Sequence, residues 1–257
     1  MTLQRVNAGS GHYYKIDGHK VDSVTELIRG GWPPDLTRAA AVAVAEHVAD
    51  HDDEVELLRD GTRLAMVETL AGEPQRKWRT KRDRGTRVHA AIARGDRHVW
   101  PEDLAGFERA YRAYRAEWRP RPLFWEATVG SRTQRYGGTL DDLSIIPGMG
   151  VQVIDYKTGD EDDRPWPDVA LQLAAYRHAE WILGAGGDVL DLGSFRIRGG
   201  LVVHLRPDGY DVHRVECGQV VYRDFLNVAA VARARRDRAG SWLSVPLLPP
   251  LPDGDTP

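Results

Sequence analysis

Asp141, Asp155 and Lys157 are the side chains of this sequence whose types and spacing are best suited to chemistry. Asp155 and Lys157 are separated by one residue, so on a β-strand both point to the same face. Two carboxylates held close together repel each other unless a cation lies between them. Mg²⁺ and Mn²⁺ accept such oxygen ligands and can also bind a phosphate oxygen, while lysine adds a compact positive charge. The pattern therefore predicts a divalent-metal site suited to hydrolysis of phosphodiester bonds.

The segment that must position these residues reads as a β-hairpin followed by a helix. Pro147 to Gly150 separate the apolar runs 143–146 and 151–154, which is typical of two strands joined by a short turn. A one-residue shift in register reverses the face of every side chain. Asp141 can therefore join Asp155 only if the loop contains an odd number of residues or a bulge corrects the register.

A helix predicted from about Trp166 to Leu183 follows the hairpin. It places Gln172 and Tyr176 one turn apart on the same face. Residues of these types at this spacing are commonly a half-buried hydrogen-bonding pair, so the spacing alone does not assign them to a site.

Five short motifs resemble, in order, the motif series of the RecB-like branch of the PD-(D/E)XK nuclease superfamily. They are GTRVH at 85–89, FWEATV at 124–129, GGTLD at 137–141, IDYKTG at 154–159 and QLAAY at 172–176. Phage-encoded and CRISPR-associated exonucleases of that branch are the most similar in pattern. Each motif alone is weakly specific, but five in the right order form a strong signal. Iron–sulfur clusters occur in several relatives, and one cysteine, Cys217, cannot ligate one.

The resemblance implies roles for four further residues. His89 occupies the histidine of the G-x-x-x-H motif and is expected to face the metal, although a lone helical histidine is usually a surface or core residue. Glu126 is either an auxiliary metal ligand or a charge at the edge of a strand. Gln172 and Tyr176 become supporting catalytic residues beside Asp155.

A basic stretch, residues 76–87, precedes and overlaps the first motif. Without context, such a charge run is usually a solvated face. Its position beside the predicted metal site favours contacts with the phosphates of a nucleic acid instead. Gly85 removes a side chain where the backbone could approach the substrate closely. The seven candidate nucleic-acid-binding residues are Arg76, Lys77, Arg79, Lys81, Arg82, Arg84 and Arg87.

Composition restricts the class of protein. The chain has 257 residues and a net charge of -3, so any nucleic-acid contact must come from a local basic patch. One cysteine excludes an internal disulfide framework and fits a reducing compartment. The sequence has no apolar run long enough to span a bilayer and no apolar core of a signal peptide near its start. We expect a cytoplasmic protein with no membrane contact.

The expected fold class is α/β. We expect a PD-(D/E)XK nuclease-like mixed central sheet flanked by helices, with an N-terminal helical addition. An N-terminal hairpin and helical cap is assigned to residues 1–74, with helices over 35–48 and 54–70. The RecB-like nuclease core is assigned to residues 75–245, and residues 246–257 form a proline-rich tail.

The expected function is Mg²⁺- or Mn²⁺-dependent hydrolysis of DNA by an exonuclease. Asp141 and Asp155 would bind metal, His89 and Glu126 would complete the set of ligands, and Lys157 would assist water or the transition state. Two alternatives stay open, a catalytically silent nucleic-acid-binding module with the same fold and an endonuclease of the same superfamily. The expected partner is DNA with ends, and a recombination or processing protein is a further candidate.

Overall fold

The structure is a computed structural model, and it describes residues 1–9, 11–95, 99–160, 167–243 and 245–246. Its strands are β1 (Leu3–Ala8), β2 (Gly11–Ile16), β3 (His19–Ser23), β4 (Arg121–Ser131), β5 (Tyr136–Ile146), β6 (Gly150–Thr158), β7 (Trp181–Leu183), β8 (Val189–Asp191), β9 (Gly199–Arg206) and β10 (Gly209–Val215). Its helices are α1 (Val24–Gly31), α2 (Thr37–Asp50), α3 (Asp52–Arg59), α4 (Arg63–Ala93), α5 (Ala105–Trp118), α6 (Val169–Arg177) and α7 (Gln219–Arg238).

A single mixed sheet connects the described strands, which confirms the expected α/β class with a mixed central sheet. The long strand β5 is its branching point. One edge of β5 pairs with β4, while its other edge pairs with β3 near Tyr136 and with β6 from Asp142 onward. Beyond β6 the sheet continues through a parallel pairing with β9 and an antiparallel pairing of β9 with β10.

Helices cover both faces of this sheet. On one face α1, α6 and α7 pack over an apolar core that includes Leu27, Leu173 and Phe225. On the other face α4 and α5 enclose a second core that includes Val88 and Tyr114. Both surfaces of the central strands are therefore removed from water, and polar side chains that remain among them need a specific partner.

The N-terminal part of the chain belongs to this architecture more closely than the expected division suggests. The strand β3 pairs in parallel with β5, so the predicted N-terminal hairpin extends the central sheet. The helix α4 runs continuously through residues 74 and 75, where the boundary was expected. The helices α2 and α3 pack against α4 and make up the helical addition. The tail over 247–257 lies outside the described residues.

Candidate active site

The two predicted carboxylates meet where β5 and β6 separate. The turn between these strands, residues 147–149, contains three residues, so the odd loop length required by the sequence is present. The ladder ends at the pair of Asp142 and Ile154, and Asp141 and Asp155 come next on their strands. There the Asp141 Oδ2 accepts a hydrogen bond of 2.9 Å from the backbone N–H of Tyr156. The splayed strands thus hold both acids at one point.

Asp155 is buried and held on two sides. Its Oδ1 accepts hydrogen bonds from Lys157 Nζ at 3.0 Å and from Gln172 Nε2 at 2.8 Å. Lys157 Nζ also lies 2.8 Å from Oδ2, which nevertheless makes no hydrogen bond with any described residue. This contact is an ion pair outside hydrogen-bond geometry, so lone pairs of Oδ2 remain available to a metal ion.

The charges of this cluster act on one another. Burial raises the pKa of Asp155 and the Asp141 charge raises it further, while Lys157 opposes both. Burial would also raise the pKa of Asp141, but the His89 imidazole and the Lys157 ammonium hold it below its ordinary value. Burial lowers the pKa of Lys157, and the carboxylates of Asp155 and Asp141 more than offset this and raise it. The lysine is therefore a cation at neutral pH.

His89 and Glu126 complete a group that could hold a metal ion. Ligand atoms of His89, Glu126 and Asp141 all lie within 4.8 Å of one another, and His89 Nδ1 is 3.5 Å from Asp141 Oδ2. Burial lowers the pKa of His89, but the Asp141 carboxylate raises it to about 9. A cation bound here would replace that proton, since a ligating imidazole is neutral. Asp155 lies next to this group, but it is not among the residues whose ligand atoms all lie within 4.8 Å of one another.

Glu126 reaches this position through an unusual backbone conformation. It lies within β4 with a φ of 45°, in the left-handed region that non-glycine residues rarely adopt. Such a conformation costs about 1–3 kcal/mol and persists only where the surrounding structure enforces it. Burial and the neighbouring Asp141 raise the pKa of Glu126.

The helix α6 supplies the two supporting residues that were predicted. Gln172 holds Asp155 through its amide, as described above. Tyr176, one turn later, is buried against β5, and a Cβ at Gly138 would lie 2.5 Å from its ring. Gly138, the second glycine of the GGTLD motif, is thus required for the close approach of Tyr176. Gln172 contacts the site directly, whereas Tyr176 positions the helix that carries it.

Two residues of the basic stretch lie at the end of β6. Lys81 Nζ is 3.1 Å from Asp160 Oδ2, and Arg84 Nη1 is 2.9 Å from Asp160 Oδ1. The Arg84 guanidinium also stacks over Phe107 at 5.3 Å. Gly85 faces the same strand, because a Cβ there would lie 3.1 Å from Thr158 Oγ1. The close approach that the structure shows at Gly85 is therefore to β6.

The remaining basic residues do not form one patch. As part of α4 they are distributed around the helix axis, at 100° per residue. Arg76 hydrogen-bonds Glu73, and Arg87 forms a two-bond ion pair with Asp103 at 2.6 and 2.7 Å. Lys77 pairs with Glu46 at 2.5 Å. Arg79 and Arg82 are exposed. Several of these charges already have partners within the chain, and the assignment of the whole stretch to nucleic-acid binding stays a prediction.

The sequence reasoning did not identify Asp160. It follows β6, the strand that carries Asp155 and Lys157, and it holds both Lys81 and Arg84 beside the candidate active site. The signal was present as the acidic residues directly after IDYKTG. The partners of Asp160 lie on α4, far away in sequence, so its role could not be identified from local pattern.

Within the described part of the chain, no helix is both long enough and apolar enough to cross a membrane.

Comparisons with known proteins give no family assignment. No protein-family model matches the sequence, and no curated protein matches it. A solved structure described as "Crystal structure of SSO0001" matches with a TM-score of 0.33 and 12% sequence identity, over 82% of this chain and 73% of that chain. A similarity at this level carries no argument about fold family or activity.

Proposed function

We propose that this chain is a Mg²⁺- or Mn²⁺-dependent deoxyribonuclease of the PD-(D/E)XK type. One observation carries the proposal: Asp141, Asp155 and Lys157 converge where β5 and β6 part. A nucleic-acid-binding module with no turnover has no need of two acidic groups facing phosphates, because they repel that ligand. The resemblance of the five motifs to the RecB-like branch supports the same activity.

The donor set fits a hard divalent cation. The carboxylates of Asp141 and Glu126, with the imidazole of His89, suit Mg²⁺ or Mn²⁺. The Oδ2 atom of Asp155, which makes no hydrogen bond with a described residue, lies next to these ligands. When bound, such an ion supplies polarisation of the scissile phosphate and a lower pKa for the attacking water.

The chain's own residues carry out the remaining work. The Lys157 ammonium is placed to hold a water molecule or to offset charge that develops on the phosphate. Gln172 fixes the orientation of Asp155, so that the carboxylate keeps its geometry when Lys157 turns toward substrate. Lys81 and Arg84, which Asp160 fixes beside the end of β6, are the residues we assign to a substrate phosphate.

We further propose that the enzyme acts on DNA ends as an exonuclease. The sequence contains no zinc-finger spacing and no obvious helix-turn-helix with which to read bases. An enzyme that contacts only the DNA backbone could cut at any position. An exonuclease therefore also needs a structural element that admits only a DNA end. The helical addition of α2 and α3 on α4 is the element to which we assign that restriction, and a recombination or processing protein is a candidate partner.

The proposal is tested with end-labelled single- and double-stranded DNA. Purified protein should release labelled product in Mg²⁺ or Mn²⁺, release none with EDTA, and recover when Mn²⁺ is added in excess of the chelator. DNA that is retained but uncut in every metal would make the chain a binding module. Product that is independent of chelator would reject the metal site.

A further inference from the structure

The hairpin formed by β9 and β10 carries a second group of metal-ligating side chains. His204 on β9 pairs directly with Asp211 on β10, and His213 lies two residues further along β10. Side chains alternate along a strand, so all three point to the same face. Their ligand atoms lie within 4.8 Å of one another. The two paired strands therefore preset the arrangement.

This group shares no residue with the candidate active site, which it adjoins at one position. In the parallel pairing of β6 with β9, His204 is the direct neighbour of Lys157, so both point to the same face of the sheet. The strand β9 is two strands away from β5, which carries Asp141. At a spacing of about 4.8 Å per strand, His204 is about 10 Å from the strand that carries Asp141 but only one strand from Lys157.

The donor set differs in chemistry from that of the candidate active site. Two imidazoles and one carboxylate suit Zn²⁺, Co²⁺ or Ni²⁺, whereas Mg²⁺ prefers oxygen ligands throughout. Three protein ligands are also the number found at zinc sites that keep a fourth position for water.

The surroundings fit a half-exposed site. His204 is buried, while Asp211 and His213 are exposed, so an ion from solvent can reach the group. Arg206 forms an ion pair with the exposed Asp211 carboxylate. Hydrogen bonding of this kind orients a ligating carboxylate, and a second oxygen remains for an ion. The positive charge of Arg206 opposes a cation, so we expect binding weaker than at a site without it.

We propose that His204, Asp211 and His213 form a site for a Zn²⁺-like transition-metal ion, separate from the Mg²⁺ or Mn²⁺ centre. A bound ion ties β10 to β9, the strand that flanks the catalytic-type strand β6. Its role is to stabilise this edge of the sheet, and it does not depend on the chain being a nuclease.

Cobalt is the probe for this site, because Co²⁺ bound to nitrogen ligands in a tetrahedral site absorbs visible light strongly. The full chain is titrated with Co²⁺ in excess Mg²⁺. We expect one saturable equivalent, and Zn²⁺ but not added Mg²⁺ should abolish the absorption. At a hundredfold excess over Kd, Zn²⁺ should raise Tm by about 5 °C or more.

The matched variants are His213→Ala and His89→Ala, each of which removes one imidazole, from the proposed site and the candidate active site respectively. His213 is exposed, so its loss should leave Tm without metal unchanged. His213→Ala should lose both the absorption and the Tm rise, and His89→Ala should keep them. No absorption in the unmodified chain, or absorption that survives in His213→Ala, overturns the proposal. Neither result depends on DNA cleavage.

Discussion

Asp141 and Asp142 are neighbours in sequence but occupy opposite environments. Asp141 accepts the Tyr156 N–H and faces His89 in the candidate active site. Asp142 is fully buried on the other face of β5 and accepts a hydrogen bond of 2.9 Å from the Tyr156 hydroxyl. Burial raises the pKa of Asp142 to about 6. Asp141 therefore belongs to the candidate active site, while Asp142 is a buried acid whose raised pKa disfavours its ionised form.

The raised pKa of Asp142 makes stability depend on pH. The folded chain holds this proton more tightly than the unfolded chain, so the contribution to stability is present below pH 4 and is lost as pH rises through about 6. Asp142→Asn keeps an acceptor for Tyr156 and removes the charge. Relative to the unmodified chain, it should gain on the order of 1–3 kcal/mol at pH 8 and much less at pH 4. Urea unfolding at both pH values measures this, and a difference independent of pH would contradict it.

Glu126 has a strained backbone conformation at the candidate active site. A glycine adopts its φ of 45° without strain. Glu126→Gly should therefore leave the free energy of unfolding unchanged or raise it by about 1 kcal/mol, while increasing the Mn²⁺ concentration needed for cleavage. Glu126→Gln is the control, because it loses the charge and keeps the strain. Its metal requirement should rise as well, and because both variants lose the repulsion from Asp141, Glu126→Gly should be the more stable of the two by about 1 kcal/mol. A Glu126→Gly variant that is less stable, yet cleaves at low Mn²⁺, would remove Glu126 from the site.

At the scale of elements, the hairpin could be predicted because its signals are local. The three-residue turn and the apolar runs around it determine both the strands and the register, and so the meeting of Asp141 with Asp155. Leu104, Phe107 and Tyr111 recur in the sequence at helical spacing, and they likewise pack into one core. Patterns within one element identify it and the face it buries.

The helix α4 was not predictable in the same way. The sequence predicted one helix over 54–70, whereas the chain turns after α3 and α4 begins anew, with Thr62 accepting a hydrogen bond from the Ala65 N–H. The new helix continues through Pro74, where a helix is expected to kink or end. There α2 packs against α4, with His47 Nδ1 3.5 Å from Oε2 of Glu73, the residue before Pro74. Such tertiary support, and the contact of Gly85 with Thr158, leave no signature in local periodicity.

The placement of α4 leads to a prediction about its basic residues. The pair Lys81→Ala and Arg84→Ala removes the charges beside the end of β6, and should weaken binding to DNA of any sequence. The plot of log K against log salt should lose about 0.9 in slope for each phosphate contact removed. The matched pair, Arg76→Ala and Arg87→Ala, removes two positive charges that lie elsewhere on α4, beside Glu73 and Asp103 and not beside Asp160 at the end of β6, and should leave the slope unchanged. Equal effects of the two pairs would restore the view of one extended patch.

At the scale of the whole molecule, a branched sheet brings distant parts of the chain to one place. The candidate active site takes His89 from α4, Glu126 from β4, Asp141 from β5, and Asp155 from β6, with Gln172 from α6. Helices on both faces keep these elements fixed. Rigid placement of side chains from separate elements is what electrostatic stabilisation of a transition state requires.

The proposed dependence on DNA ends would arise from the arrangement of the whole molecule. If the helical addition limits access to a terminus, covalently closed circular DNA should survive under conditions that degrade its linearised form in Mg²⁺ or Mn²⁺. Both forms are incubated at the same concentration with the same preparation, and intact DNA is quantified over time. Equal degradation of the two would make the chain an endonuclease and leave the metal chemistry in place.

The comparison of Asp141→Asn with Asp142→Asn tests the central claim most directly. Both variants remove one negative charge from β5, at adjacent residues that lie on opposite sides of the strand. Single-turnover cleavage in saturating Mn²⁺ should fall by about 100-fold or more in Asp141→Asn, because a charge preset at the reacting phosphate is lost. Asp142→Asn should keep a rate within about threefold of the unmodified chain, since buried residues away from the site affect stability more than chemistry. Similar rates in the two variants, whether both low or both high, would contradict the account.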